Sequence, residues 1–187
     1  SGALLFMHKD ILLSVTQTSL IVGSVLGGGS LATLIAGFLA DYFGRKRIIL
    51  LSGIIFIFGV LILVNAHTFY TVLVGRLVQG IGIGIVIIVI PLYVSETIPA
   101  RLRGRTMTLF QLFLTFGILL AYVVNVAFAA SENWRGMFYC VLVPGILFTL
   151  CALVISESPR WLYRHKHYSQ CKQSLLRTHT DAETEDC

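Results

Sequence analysis

Arg76 lies seven residues into a long apolar run, ~10 Å along a helix that rises 1.5 Å per residue. A guanidinium at that depth marks a functional site by default, unless its stem snorkels to the nearby interface. Both readings are open from the sequence, which offers no acid at matching depth. A buried Arg76 would have to find its partner outside these residues. Gln111 and Asn125 are amides in another apolar run. Hydrocarbon leaves an unpaired amide unsatisfied, so each must face a neighbouring helix or a wet cavity. Gln111, Leu114, Thr115 and Ile118 fall at i, i+3, i+4 and i+7, one face of a helix. An amide, a hydroxyl and two aliphatic side chains in one strip suit a ligand with hydroxyls and CH faces, such as a sugar. The same strip could be polar glue between helices.

Opposite charges recur where apolar runs end. Asp41 and Arg45 are four residues apart, Glu96 is followed by Arg101 and Arg103, and Glu157 and Arg160 flank Ser158 and Pro159. They could form a network latching helix ends together. They could equally be solvated loop charges, whose exposed pairs contribute ~0–1 kcal/mol. Gly80, Gly82 and Gly84 do not make a dinucleotide fingerprint, because the third glycine falls at the wrong position and no strand precedes them. Gly23 with Gly27, Gly80 with Gly84, and Gly37 between Thr33 and Asp41 instead suit close helix approach in lipid. Cys140, Cys151, Cys171 and Cys187 show no metal-ligand spacing. No metal or cofactor is expected.

The elements that position these residues follow from composition. The 187 residues are 56% hydrophobic and only 12% charged, with a mean hydropathy of +0.85. Soluble domains carry roughly 25% charged residues, so a soluble enzyme is excluded and a polytopic membrane protein is expected. A span needs about 20 apolar residues, and five segments qualify: 13–40, 48–66, 69–94, 106–130 and 137–156. Residues 1–7 read as the end of an earlier helix. From 157 to 187 the chain turns polar and basic, with a short helix from Pro159, on which Trp161, Leu162 and Tyr163 could rest on the membrane, and a frayed acidic end.

Eleven of the fourteen Lys and Arg residues fall after the first, third and fifth spans. By the positive-inside rule those segments, including the 157–187 tail, are cytoplasmic. This placement between apolar runs also argues against nucleic acid as the partner of the +5 net charge. The opening residues show no signal-peptide pattern, and both ends are expected to be cuts in a longer chain.

In this order the motifs resemble the sugar porter family of the major facilitator superfamily, over nearly the whole chain. Gly37, Asp41, Gly44, Arg45 and Lys46 are similar to its loop motif between helices two and three. Gly75-Arg76 and the stretch from Pro91 through Glu96, Pro99, Arg101 and Arg103 to Gly104 are similar to its fourth helix and exit. Gln111 with Gly117 resembles its fifth helix, Asn133-Trp134-Arg135 the entry to its sixth, and Glu157-Ser158-Pro159-Arg160-Trp161-Leu162 its PESPRWL signature, with Ser156 in place of the usual Pro.

The resemblance implies an all-α membrane fold: a partial N-terminal six-helix bundle containing helices two to six, plus a short cytoplasmic helix. A C-terminal six-helix bundle would be missing. It implies transport of a sugar or polyol by alternating access, without enzymatic chemistry. By position, Gln111 would contact sugar hydroxyls, with Leu114, Thr115 and Ile118 lining the same cavity. Arg76 would respond to an acid on the first helix in a proton symporter. Asp41, Arg45, Glu96, Arg103, Glu157 and Arg160 would form the cytoplasmic latch of the outward-open state. Facilitated diffusion is the alternative, and a nontransporting sensor or an inactive fragment is a third reading.

Overall fold

The computed structural model describes residues 14–129, 134–166 and 168. The expected stub at 1–7 and the frayed end at 178–187 lie outside them. The chain runs through α1 (Val15–Phe43), α2 (Arg45–Val64), α3 (Phe69–Thr97), α4 (Ala100–Ala129), α5 (Trp134–Val154) and α6 (Pro159–Arg164). Among the described residues there is no strand. The first five helices are each long and apolar enough to cross a membrane. Large apolar side chains stay exposed on all five, from Leu26 and Leu34 on α1 to Val143 and Leu147 on α5. A helix apolar all round has its solvent in lipid. This is a multi-pass membrane protein.

Local signals set the helix starts. Ser14 and Gln17 form a reciprocal capping box at α1, with Ser14 N–H donating to Gln17 Oε1 at 2.9 Å. Thr68 caps α3 by accepting from Thr71 N–H. Pro91 and Pro144 stand inside α3 and α5, as membrane helices tolerate.

The observed helices outrun the apolar segments at one end of the bundle. Arg45, Lys46 and Arg47 are not in a loop but in the first turn of α2, and Arg101, Arg103 and Arg105 lie in α4. Asp41 and Arg45 therefore sit on two different helices, separated by the single residue Gly44 at φ 97°. Apolar length reports what must lie in hydrocarbon; the helix continues wherever its end groups find partners.

α3 is the hub. On one side Gly80 and Gly84 lie against the α1 backbone at Val25 and Gly29, so close that a Cβ on either would collide with a carbonyl oxygen. A Cβ on Gly28 would in turn come within 2.6 Å of the Leu77 carbonyl oxygen. On another side Gly59 of α2 meets Gln79 and Gly75. Gly80 and Gly84 thus do pack as small-residue pairs do, but the α1 glycines that serve this seam are Gly28 and Gly29. Gly23, Gly27 and Gly37 face open space. Spacing alone does not say which small residue on a lipid-exposed helix points inward.

Two apolar clusters fill the remaining core. One joins Ile21, Val60, Leu63, Val72, Met137 and Phe138; the other joins Ala32, Ala36, Ala40, Ile48, Ile49, Ile85, Val89 and Ala152. α4 contributes no buried residue to either. Gly84→Ala should cost ~1–3 kcal/mol by overpacking and lower the unfolding temperature of the full-length protein in detergent. Gly27→Ala, into open space, should hold or raise it, since Ala is ~1 kcal/mol better than Gly within a helix.

Candidate functional site

At the end where α1 hands over to α2, three cations open a helix whose N-terminal dipole already disfavours positive charge. Carboxylates from other elements answer them. Arg45 is 3% exposed. Its Nη1 donates to Ala40 O at 3.1 Å, and its Nη2 donates to Asp41 Oδ1 and, at 2.9 Å, to Glu96 Oε1. Nε lies 2.9 Å from Glu96 Oε2, and the side chains of this pair are 4% and 3% exposed. Asp41 is half exposed, at 53%.

The α5–α6 link completes the cluster. Glu157 Oε1 accepts from Lys46 N–H and Ser158 N–H, each at 3.0 Å, capping α2 from a distant part of the chain. No side chain on α2's own cap does this. Lys46 Nζ donates to Leu153 O at the end of α5, 2.9 Å away. Ser158 caps α6 and donates its hydroxyl to Glu96 Oε2 at 2.7 Å. Trp161 Nε1–H donates to Asp41 O at 3.0 Å, and Tyr93 Oη–H to Ser156 O at 2.9 Å. Trp161 and Leu162 are accordingly buried rather than resting on the membrane; only Tyr163 of that trio is exposed.

The structure thus brings together Asp41 of α1, Arg45 of α2, Glu96 of α3 and Glu157 of the α5–α6 link. Arg103 and Arg160 are exposed and make no ion pair with the described residues. Arg160 borders a cavity of 700 Å³ that also meets Asp41, Arg45, Glu96 and Arg164. Sequence reading missed the roles of Lys46 and Tyr93, which act through backbone atoms that carry no sequence signal, and of Ser158, whose hydroxyl meets Glu96 across 62 residues.

A second polar constellation lies deeper, where α3, α4 and α5 surround a cavity of 310 Å³. Arg76 lines it and does not snorkel free: its guanidinium lies 4.8 Å over the Phe138 ring, a cation–π contact. Nη1 donates to Gln79 Oε1 at 3.4 Å, while Nε is buried without a hydrogen bond among the described residues. Asn125 borders the same cavity from α4. Gln79, 6% exposed, drew no notice in the sequence because it shares no motif with Arg76.

The strip on α4 is placed differently. Gln111, Thr115 and Ile118 are exposed, and the Thr115 hydroxyl bonds back to Gln111 O at 3.0 Å. Leu114, 39% exposed, borders a largely apolar cavity of 510 Å³ with Phe56, Ile87, Phe113 and Phe148. That cavity adjoins the one lined by Arg76, the two sharing Val141 and Pro144.

The profile of the family described as sugar (and other) transporter matches residues 6–187. The chain belongs to that family. It is 40% identical over 183 residues to the glucose transporter GlcP of Staphylococcus epidermidis, covering 98% of this chain and 41% of that one. It is 37% identical over 176 residues to the D-xylose transporter of Levilactobacillus brevis, covering 94% and 38%. The fold matches a structure of the proton:xylose symporter XylE bound to 6-bromo-6-deoxy-D-glucose with a TM-score of 0.89, at 23% identity, over 99% of this chain and 46% of that one. The chain thus spans about two fifths of the curated relatives it matches, and its fold is that of one half of a major facilitator transporter. Like its family, it is not an enzyme.

The family assignment makes the charge cluster a testable structural unit. Glu96→Ala removes the buried partner of Arg45 and leaves it only the half-exposed Asp41, which should cost up to about 3–5 kcal/mol. Asp41→Asn keeps an acceptor at a half-exposed position and should cost less than ~1 kcal/mol. Thermal unfolding of both full-length variants checks the ranking.

Proposed function

We propose that the full protein carries a sugar or polyol across the membrane by alternating access. The observation that carries this reading is the family match over almost the entire chain, joined to a cavity into which Arg76, Gln79 and Asn125 bring polar groups and a charge cluster at one end of the same bundle. Glucose and xylose in the relatives' names support the substrate class. The end bearing Arg45, Arg103 and Arg160 is cytoplasmic, because most Lys and Arg residues lie on that side, and the tail from 157 onward lies there too.

In this reading Asp41, Arg45, Glu96, Arg103, Glu157 and Arg160 form a latch that closes the cytoplasmic end while the pathway opens outward. Sugar binding favours the rocking motion only through its differential affinity for the two states. Gln111 offers its amide to sugar hydroxyls, with Leu114, Thr115 and Ile118 beside it. Their exposure on α4 supports this role, since an exposed face is available to the rest of the transporter. Arg76 provides the charge on which proton coupling acts, which makes symport the preferred form. The remaining partners are the lipid bilayer and the second six-helix bundle.

Full-length protein in proteoliposomes should take up glucose, xylose or inositol saturably. Concentrative uptake should collapse with a protonophore; uptake that persists but never concentrates would assign facilitated diffusion instead. Sugar binding without uptake would assign a sensor. Gln111→Ala should weaken sugar affinity by about tenfold, in keeping with ~1–1.5 kcal/mol for a lost hydrogen bond. Unchanged affinity would remove Gln111 from the site.

A further inference from the structure

The outer carboxylate of the charge cluster can change partners without exposing a buried charge. Arg45 has Glu96 as its buried counterion, with side chains 4% and 3% exposed. Its further bond from Nη2 to Asp41 Oδ1 is therefore not what keeps the guanidinium neutralised. Asp41 itself is 53% exposed, and at such a position one ion pair replaces another at little cost.

Trp161 decides which cations stand beside it. Its buried indole donates Nε1–H to Asp41 O at 3.0 Å and carries the His165 ring stacked on it, with centroids 4.1 Å apart. The middle of α6 is thereby held against the end of α1. Arg160 and Arg164 fall one residue before and three after Trp161, four apart, so they share one face of α6. Both are exposed, and both border the cavity of 700 Å³ that Asp41 meets. Arg164 also borders a second cavity, of 310 Å³, which Asp41 shares with Phe38, Tyr42 and His165. Among the described residues, Arg164 is the arginine that meets Asp41 in both cavities. We propose that Arg164 is the exchange partner of Asp41: a positioning residue that takes this carboxylate when the second bundle withdraws from the cytoplasmic end, and yields it when the bundles close there. Asp41 then swaps one exposed partner for another instead of losing one, and the cytoplasmic end opens at lower cost. This deepens the transport reading and rests on it.

Spin labels on the cytoplasmic ends of the two bundles of the full-length protein, read by double electron–electron resonance in proteoliposomes, report the open and closed populations at that end. Arg164→Gln should lower the open-to-closed ratio by about two- to fivefold, the size of an exposed ion pair, and Arg164→Lys should keep it within about twofold of wild type. In an Asp41→Asn background the same Arg164→Gln change should leave the ratio unmoved. No shift with Asp41 present would overturn the proposal. So would an equal shift in both backgrounds, which would assign Arg164 to some other anion, such as a lipid headgroup. A wild-type protein without sugar uptake would sink the transport reading, whereas a transporting protein whose ratio ignores Arg164 would sink the exchange alone.

Discussion

A cation buried where three helices end must be neutralised and hydrogen-bonded on every side, and that requirement organises one whole end of this bundle. The one-residue junction at Gly44 forces Arg45 into the first turn of α2, against the end of α3. There Glu96 neutralises it, Ala40 O and Asp41 accept from its Nη1 and Nη2, and Glu157 accepts from the Lys46 N–H at the start of α2. Gly44 sits at φ 97°, a conformation that favours glycine, and a Cβ there would also displace the Glu157 carboxylate, coming within 2.5 Å of its Oε2. Ser158 and Trp161 then bind to atoms that Glu96 and Asp41 present. The short α6 is held in place by the demands of a guanidinium two helices away.

The rest of the bundle follows from how α3 divides its surface. With 100° per residue, Gly80 and Gly84 face one direction and Gly75 and Gly82 another. These faces receive α1 and α2 at backbone distance. Arg76 and Gln79 fall in the remaining sector, toward the cavity that α4 and α5 border. The polar pair is therefore positioned by the small residues around it, which touch no ligand themselves.

Hydropathy made the five membrane helices legible, because hydrocarbon admits little besides long apolar helices. The charged ends were legible as pairs of opposite sign, yet Arg45 with Glu96 across 51 residues was hidden behind the nearer pair of Glu96 with Arg103. Sequence proximity predicts contacts along one helix and fails where helices from distant segments converge. The same limit applies to Gln79: an amide beside four glycines reads as packing, and only the side-chain geometry joins it to Arg76. Gly23, Gly27 and Gly37 fail in the opposite sense, since a glycine facing open space has the same spacing as a seam glycine.

Burial sorts the charge cluster into parts able to switch and parts that are not. Moving a two-state equilibrium from 1:99 to 99:1 takes ~5.5 kcal/mol of differential binding. Breaking the buried Arg45–Glu96 pair would consume about 3–5 kcal/mol of that, leaving little for a sugar that binds through hydrogen bonds worth about 1 kcal/mol each. The pair joins α2 to α3 within one bundle, so the proposed rocking of one bundle against another would leave it intact. Asp41 at 53% exposure, with the exposed Arg103 and Arg160, is different. Exposed pairs cost ~0–1 kcal/mol each, small enough to form and separate in every cycle. In the proposed latch the Arg45–Glu96 core would give those outer charges a fixed edge from which to reach, so that release would not require unfolding the helices that carry it.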